Sequence, residues 1–295
     1  MKLYIVPETG VSIKENVTNY FEMDYKNFID LVFGQSFNNV SIVSEKQESD
    51  LLICGIQTLE TTPLDKKTML VCVENCSAKG RPHYKHFNLF QHYNDSRISI
   101  FIYNDISKIV KGNNFIAIPF IYLYIDQFVR LEKTLTVPKV SFADKKFCLI
   151  ASRNNLNRNK GETLHLLSNI DCIDLMGKYE ELKSTSCYHS QELLSVFSQY
   201  KFIICFENSK NDGYITEKLF NVFLAGSIPV YDGAPNLDDF INPAAILNYQ
   251  DPKFLKKLSL LNTNEKLYEI TLRLPKISKN YYNENWSQEL QKFLE

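Results

Sequence analysis

The sequence predicts an α/β protein of two Rossmann-like domains whose parallel sheets face a cleft. Three observations predict it. Short apolar runs alternate with helical patterns along the chain, the arrangement that βαβ units produce. Several of these runs are near-continuous in apolar residues rather than alternating, as strands buried on both faces are. A polar, β-branched stretch around Pro138, LEKTLTVPKVSF from Leu131 to Phe142, interrupts the series before a second one begins.

In the first series the expected strands are Leu3–Val6, Val40–Val43, Leu51–Cys54, Met69–Val73 and Ile98–Tyr103. A helical stretch, Tyr25 to Phe33, lies between the first two, with Phe28, Leu31 and Val32 apolar. Leu131 to Phe142 reads as the interdomain linker. In the second series, Lys146–Ala151 is a buried strand, and about Gly161–Leu167 is helical. Cys172–Met176 is a strand ending at Gly177. Helix Gln191–Phe197 leads to strand Phe202–Phe206. Helix Tyr214–Leu224 stops at Ala225-Gly226, and strand Ile228–Tyr231 follows. The expected domains are therefore 1–135 and 136–277. A closing helix over 278–295 carries Trp286, Leu290, Phe293 and Leu294.

Composition excludes several classes. A 295-residue chain with 44% hydrophobic and 23% charged residues is an ordinary globular composition with room for two cores. A net charge of -1 gives no global attraction to nucleic acid or to anionic membrane. The longest apolar candidate, Phe115 to Val129, is broken by Pro119 and Asp126 and falls short of a membrane span. The start, MKLYIVPETG, is too short and polar for a signal peptide. A cytoplasmic chain is expected, with peripheral contact at the inner membrane through its tail. The seven cysteines sit mostly in apolar runs and lack paired spacing, so buried reduced thiols are expected.

The segment Lys201–Gly233 carries the chemistry. A buried strand ends in the polar loop Glu207-Asn208-Ser209-Lys210-Asn211-Asp212-Gly213, and a helix opens at Tyr214. At i, i+3 and i+4, Tyr214, Glu217 and Lys218 share one face near the helix start. Free N–H groups and the positive dipole end suit a phosphate there, and Lys218 adds a full charge. Glu217 can accept hydrogen bonds from a ribose. The same spacing is equally that of a solvated surface pair, and both readings stay open at this point.

FENSKNDGYITEKLFNVFLAGSIPVYDGAP, Phe206 to Pro235, resembles the signature of the alpha-1,3-fucosyltransferases, glycosyltransferase family 10. The resemblance implies a GT-B fold, a GDP-fucose donor and inversion at the fucose anomeric carbon. It implies that Asn208, Tyr214, Glu217 and Lys218 bind the donor, with Lys218 on the diphosphate and Glu217 on the nucleoside side. FCLIASRNNLNRNKGETLHLL resembles the segment that opens the family's donor domain. It places Ser152, Asn155 and Arg158 on the donor, with Arg153 competing with Arg158 for the phosphate. IDLMGK, Ile173 to Lys178, resembles a further strand end. LVCVENCSAKGRP places Glu74 on the family's catalytic carboxylate.

Inverting transfer needs a general base for the acceptor hydroxyl, the role expected of Glu74, and fixed cations for the departing diphosphate. No metal is required on this reading, although a divalent ion could stimulate. His83, His86 and His92 lack the carboxylates that a metal site would add, and Tyr84 is an expected acceptor contact. The acceptor implied is N-acetylglucosamine in a lactosamine-type glycan or a bacterial surface polysaccharide. Two alternatives stay open: transfer of another GDP-sugar, and a catalytically silent carbohydrate-binding protein.

Overall fold

The computed structural model describes residues 1–6, 40–55, 65–71, 98–103, 116–119, 121–151, 160–176, 191–208 and 210–278. The chain divides into two compact units, with the first division after Leu123. The expected helix at Tyr25–Phe33 and most of the tail expected as a closing helix lie outside the described residues.

The first unit holds a six-stranded sheet. Its strands are β1 (Lys2–Ile5), β2 (Ser41–Ile42), β3 (Leu51–Gly55), β4 (Thr68–Val71), β5 (Ile98–Tyr103) and β6 (Ile116–Pro119). Their order is β2-β1-β3-β4-β5-β6, and every pairing is parallel. Leu51, Leu52, Ile53 and Cys54 of β3 are all buried, as are Met69 and Leu70 of β4. That two-sided burial is why their sequence shows no alternation.

Strand β6 and the helix after it correct the linker expectation. Helix α1 runs Ile121–Thr134, so Leu131–Thr134 is its last turn. The non-helical segment begins at Leu135. Pro119 closes β6, and Ile121, Tyr124, Ile125 and Phe128 then form a buried stripe at helical spacing.

The second unit holds β7 (Lys146–Ala151), α2 (Lys160–Ser168), β8 (Ile173–Met176), α3 (Gln191–Phe197) and β9 (Tyr200–Phe206). It continues with α4 (Glu217–Leu224), β10 (Ile228–Asp232), β11 (Leu247–Asn248), α5 (Phe254–Thr263) and α6 (Glu265–Arg273). The five-stranded sheet is parallel, in the order β11-β10-β9-β7-β8. In chain order within each sheet, both begin 2-1-3-4-5, the doubly wound pattern.

Central strand β9 shows what holds this sheet. Its residues Phe202, Ile204 and Phe206 belong to a core with Phe254, Leu258 and Leu261 of α5 and Tyr268 of α6. Phe202 meets Phe147 edge-on at 5.7 Å and Tyr268 edge-on at 6.1 Å. On the opposite face the Cys205 thiol donates to the carbonyl of Lys218 in α4 at 3.4 Å. Phe220 and Phe223 of α4 pack on Phe128 of α1, at 5.7 and 6.0 Å. Helix α4 ends in a Schellman turn: Gly226, at φ 68°, donates to Phe223 O, and Ser227 donates to Val222 O.

At the amino ends of the strands the buried Lys145 amine donates to Ser198 O at 2.6 Å, Gly226 O at 3.0 Å and Tyr200 O at 3.4 Å. Burial lowers its pKa from 10.5 to about 8. A lysine depressed in the folded state contributes stability above its unfolded pKa and loses it as pH falls through the folded one. Relative to Lys145→Met, the native chain is therefore expected to gain about 2 kcal/mol between about pH 7 and 9.5. Urea midpoints at the two pH values check this, and parallel pH dependence of the two proteins would refute it.

Free cysteines Cys54, Cys148 and Cys205 are buried, and Cys172 is exposed. Burial pushes the Cys54 thiol up to about 12, so these buried groups stay protonated and inert. No helix among the described residues is long and apolar enough to cross a membrane.

Candidate functional site

Ligands of doubly wound sheets bind beyond the carboxyl ends of the strands, where the strand order reverses. In the second unit that switch point lies between β7 and β9. Strand β7 ends at Ala151, and the chain enters Ser152 directly from it. Strand β9 ends at Phe206, and the Glu207–Thr216 segment follows. The two segments expected to hold the donor thus both leave the sheet at its switch point.

After β9, several polar interactions converge on Glu207. Its side chain has no exposed surface. The carboxylate accepts the Thr216 backbone N–H at 2.8 Å and the Thr216 hydroxyl at 2.9 Å. It also accepts the Lys218 ammonium at 3.0 Å. That ammonium donates in turn to the Thr216 hydroxyl at 3.1 Å. Desolvation raises the Glu207 pKa above its ordinary value, with Glu217 adding to the effect. The Lys218 charge and the Thr216 amide act against it.

This geometry corrects the expected helix. Helix α4 opens at Glu217, with Thr216 as its N-cap in extended geometry at φ -115°. Tyr214 therefore precedes the helix and shares no helical face with Glu217 and Lys218. The Thr216 hydroxyl does not cap its own helix, because it is engaged by Glu207 and Lys218. The pole expected to offer only positive potential already holds a carboxylate against its N-cap amide.

Glu217 is 13% exposed at its side chain and Lys218 32% exposed, 3.9 Å apart. The Tyr124 hydroxyl of α1 donates to Glu217 at 3.3 Å. The pair is thus held on both sides, unlike a solvated surface pair. Tyr214 is buried, and its N–H closes a turn onto Asn211 O at 3.1 Å. Asn208 is exposed. Ser152, Arg153, Asn155, Arg158, Glu74, Tyr84 and the three clustered histidines lie outside the described residues.

Sequence reasoning missed a second carboxylate. Asp232 ends β10 directly beside Phe206 and is buried. It pairs with Lys210 at 2.6 Å and accepts from Gln250 at 3.2 Å. Its carbonyl accepts the Glu207 N–H at 2.8 Å, which ties the end of β9 to β10. The Tyr231 hydroxyl accepts the Ala234 N–H at 3.1 Å, and burial pushes this phenol well above its usual range. Carboxylates directly ending the apolar runs FIICF and IPVY were the available signal. Among the described residues no group of three or more His, Cys, Asp or Glu could hold a metal ion.

Residues 140–290, just over half of the chain, match the family model described as glycosyltransferase family 10 (fucosyltransferase) C-term. The chain is 34% identical over 103 residues to GDP-fucose protein O-fucosyltransferase 3 of Xenopus tropicalis, covering 33% of this chain and 22% of that protein. It is 32% identical over 91 residues to alpha-(1,3)-fucosyltransferase FucT of Helicobacter pylori, covering 30% of this chain and 19% of that protein. The matches thus span about a fifth of these relatives. The fold matches a crystal structure of an alpha1,3-fucosyltransferase with a TM-score of 0.65 at 18% identity, over 100% of this chain and 88% of that one. A second such structure, with GDP-fucose, matches with a TM-score of 0.64 at 17% identity, over 100% and 89% of the two chains. The fold is GT-B: two Rossmann-like α/β units, each built on a parallel sheet.

Proposed function

The chain belongs to glycosyltransferase family 10, and from that premise we propose that it transfers fucose from GDP-fucose to an acceptor hydroxyl with inversion. The observation that carries the proposal is the placement of Glu217 and Lys218. They open the helix that follows the central strand at the switch point of the family-matched unit.

The acceptor oxygen attacks the anomeric carbon from the face opposite GDP. The new glycosidic C–O bond forms as the bond to the diphosphate breaks. Glu74 takes the hydroxyl proton, and the electron pair of the broken bond leaves on the diphosphate. Lys218 and Arg158 stabilise the charge gathering there, so no metal is needed. Glu217, held by Tyr124, accepts from the nucleoside side.

The acceptor proposed is N-acetylglucosamine in a lactosamine-type or surface glycan. The match to protein O-fucosyltransferases supports a second acceptor class, a hydroxyl of a protein. Calorimetry with GDP-fucose, GDP-mannose and UDP-galactose tests the donor. Selective binding of GDP-fucose is expected, whereas equal binding of both GDP-sugars would reopen the sugar. A paired assay on glycan and peptide acceptors tests the rest. Glu74→Gln is expected to bind GDP-fucose normally while transfer falls roughly 100-fold. Full transfer by this variant would remove Glu74 from the base role.

A further inference from the structure

We infer that Glu207 is a positioning residue that holds Lys218 before the donor arrives and yields it to the donor diphosphate, taking up a proton from solvent as it does so. The inference rests on the proposed contact between Lys218 and the diphosphate.

The geometry gives Glu207 the place of an internal anion. It is fully enclosed, it faces the N-cap amide of α4, and it shares the Lys218 ammonium with the Thr216 hydroxyl. A diphosphate that recruits the same ammonium brings a second anion to the other side of one cation. Two anions bridged by a single lysine lie within several ångström of each other. Their repulsion raises the proton affinity of the enclosed carboxylate. Protonation removes that repulsion, and the Thr216 hydroxyl and amide can still hold the neutral acid.

The neighbouring groups leave Glu207 as the one to titrate. Glu217 on α4 adds negative charge and drives the carboxylate further toward its acid form. Cys205 on β9 and Tyr231 on β10 are buried with pKa values raised well above ordinary, so both stay neutral near pH 7. Asp232 on β10 is neutralised by Lys210 at 2.6 Å. From α1, the Tyr124 hydroxyl engages Glu217.

The test is calorimetry of GDP-fucose binding to the full chain without acceptor, in buffers of different protonation heat. The diphosphate diester of GDP-fucose is the right probe because, unlike the terminal phosphate of GDP, it does not titrate near neutrality. We expect uptake of a fraction of one proton near pH 6.5 and an affinity that falls roughly tenfold from about pH 5.5 to 8. Glu207→Gln should bind without uptake, with a flat pH profile, and more tightly than the native chain near pH 8. Should that variant not fold, an infrared difference spectrum of the native chain replaces it. A protonated-carboxyl band is then expected to appear on donor addition. Binding with zero uptake, no such band, or a Glu207→Gln profile as steep as the native one overturns this inference alone. No binding of GDP-fucose at any pH overturns the donor reading and this inference with it.

Discussion

Replacing Lys218 by methionine is expected to weaken GDP-fucose binding about 30-fold and to destabilise the fold in a pH-dependent way. The first effect follows from the loss of a charge-assisted contact, which contributes about 2 kcal/mol. The second follows from what remains. Glu207 keeps its burial but loses the ammonium 3.0 Å away. A buried charge stripped of its partner costs about 3 kcal/mol, unless it takes up a proton. The Glu207 pKa, already raised by burial, must rise further in the variant. An acid raised in the folded state contributes stability below its unfolded pKa and loses it as pH climbs through the folded one. The deficit against the native chain should therefore be about 3 kcal/mol near pH 8 and shrink to about 1 near pH 5. Urea titrations at the two pH values measure the stability, and calorimetry with GDP-fucose measures the affinity. A pH-independent deficit would mean that Glu207 is not charged in the native chain.

Gly233→Ala should be strongly destabilising. A Cβ there would come within 2.6 Å of Glu207 Cγ and closer still to the Tyr231 hydroxyl. Neither neighbour is a loose surface tip. Tyr231 is 2% exposed and the Glu207 side chain is wholly enclosed. Relief must push one of them, and Glu207 cannot shift without disturbing Thr216 and Lys218. Overpacking of this kind costs about 3 kcal/mol. A fall in thermal midpoint with a parallel loss of GDP-fucose affinity is expected. Unchanged affinity at lowered stability would separate Gly233 from the Lys218 cluster.

Much of the second sheet was legible because its strands are buried on both faces. Lys146–Ala151 and Gln191–Phe197 have the bounds that their apolar patterns indicate. In the first unit Ile98–Tyr103 does too. Helix α1 was obscured by its composition. Its last turn, Leu131–Thr134, is polar and resembles a linker, while its buried stripe begins two residues after a strand-ending proline. Thr216 before an apolar periodic run was a readable N-cap signal, and it would have moved the helix start from Tyr214 to Glu217. The pairing of Glu207 with Lys218 was not readable. It spans eleven residues and depends on β9 delivering a carboxylate to the pole of the helix that packs beside it. Helices α5 and α6 follow the signature, and their contribution of Phe254, Leu258, Leu261 and Tyr268 to the β9 core is a tertiary fact without a local motif.

Among the described residues, each sheet has one edge that barely exists. Strand β2 is two residues long at one edge of the first sheet, and β11 is two residues long at one edge of the second. A stray extended chain arriving there finds too few open backbone groups to template a further strand. At the far edge of the first sheet, β6 ends on Pro119, which has no N–H to offer. The remaining border among the described strands, β8, is four residues long and exposes half of Leu175. A charged residue in place of Leu175 should therefore reduce self-association of concentrated protein through β8.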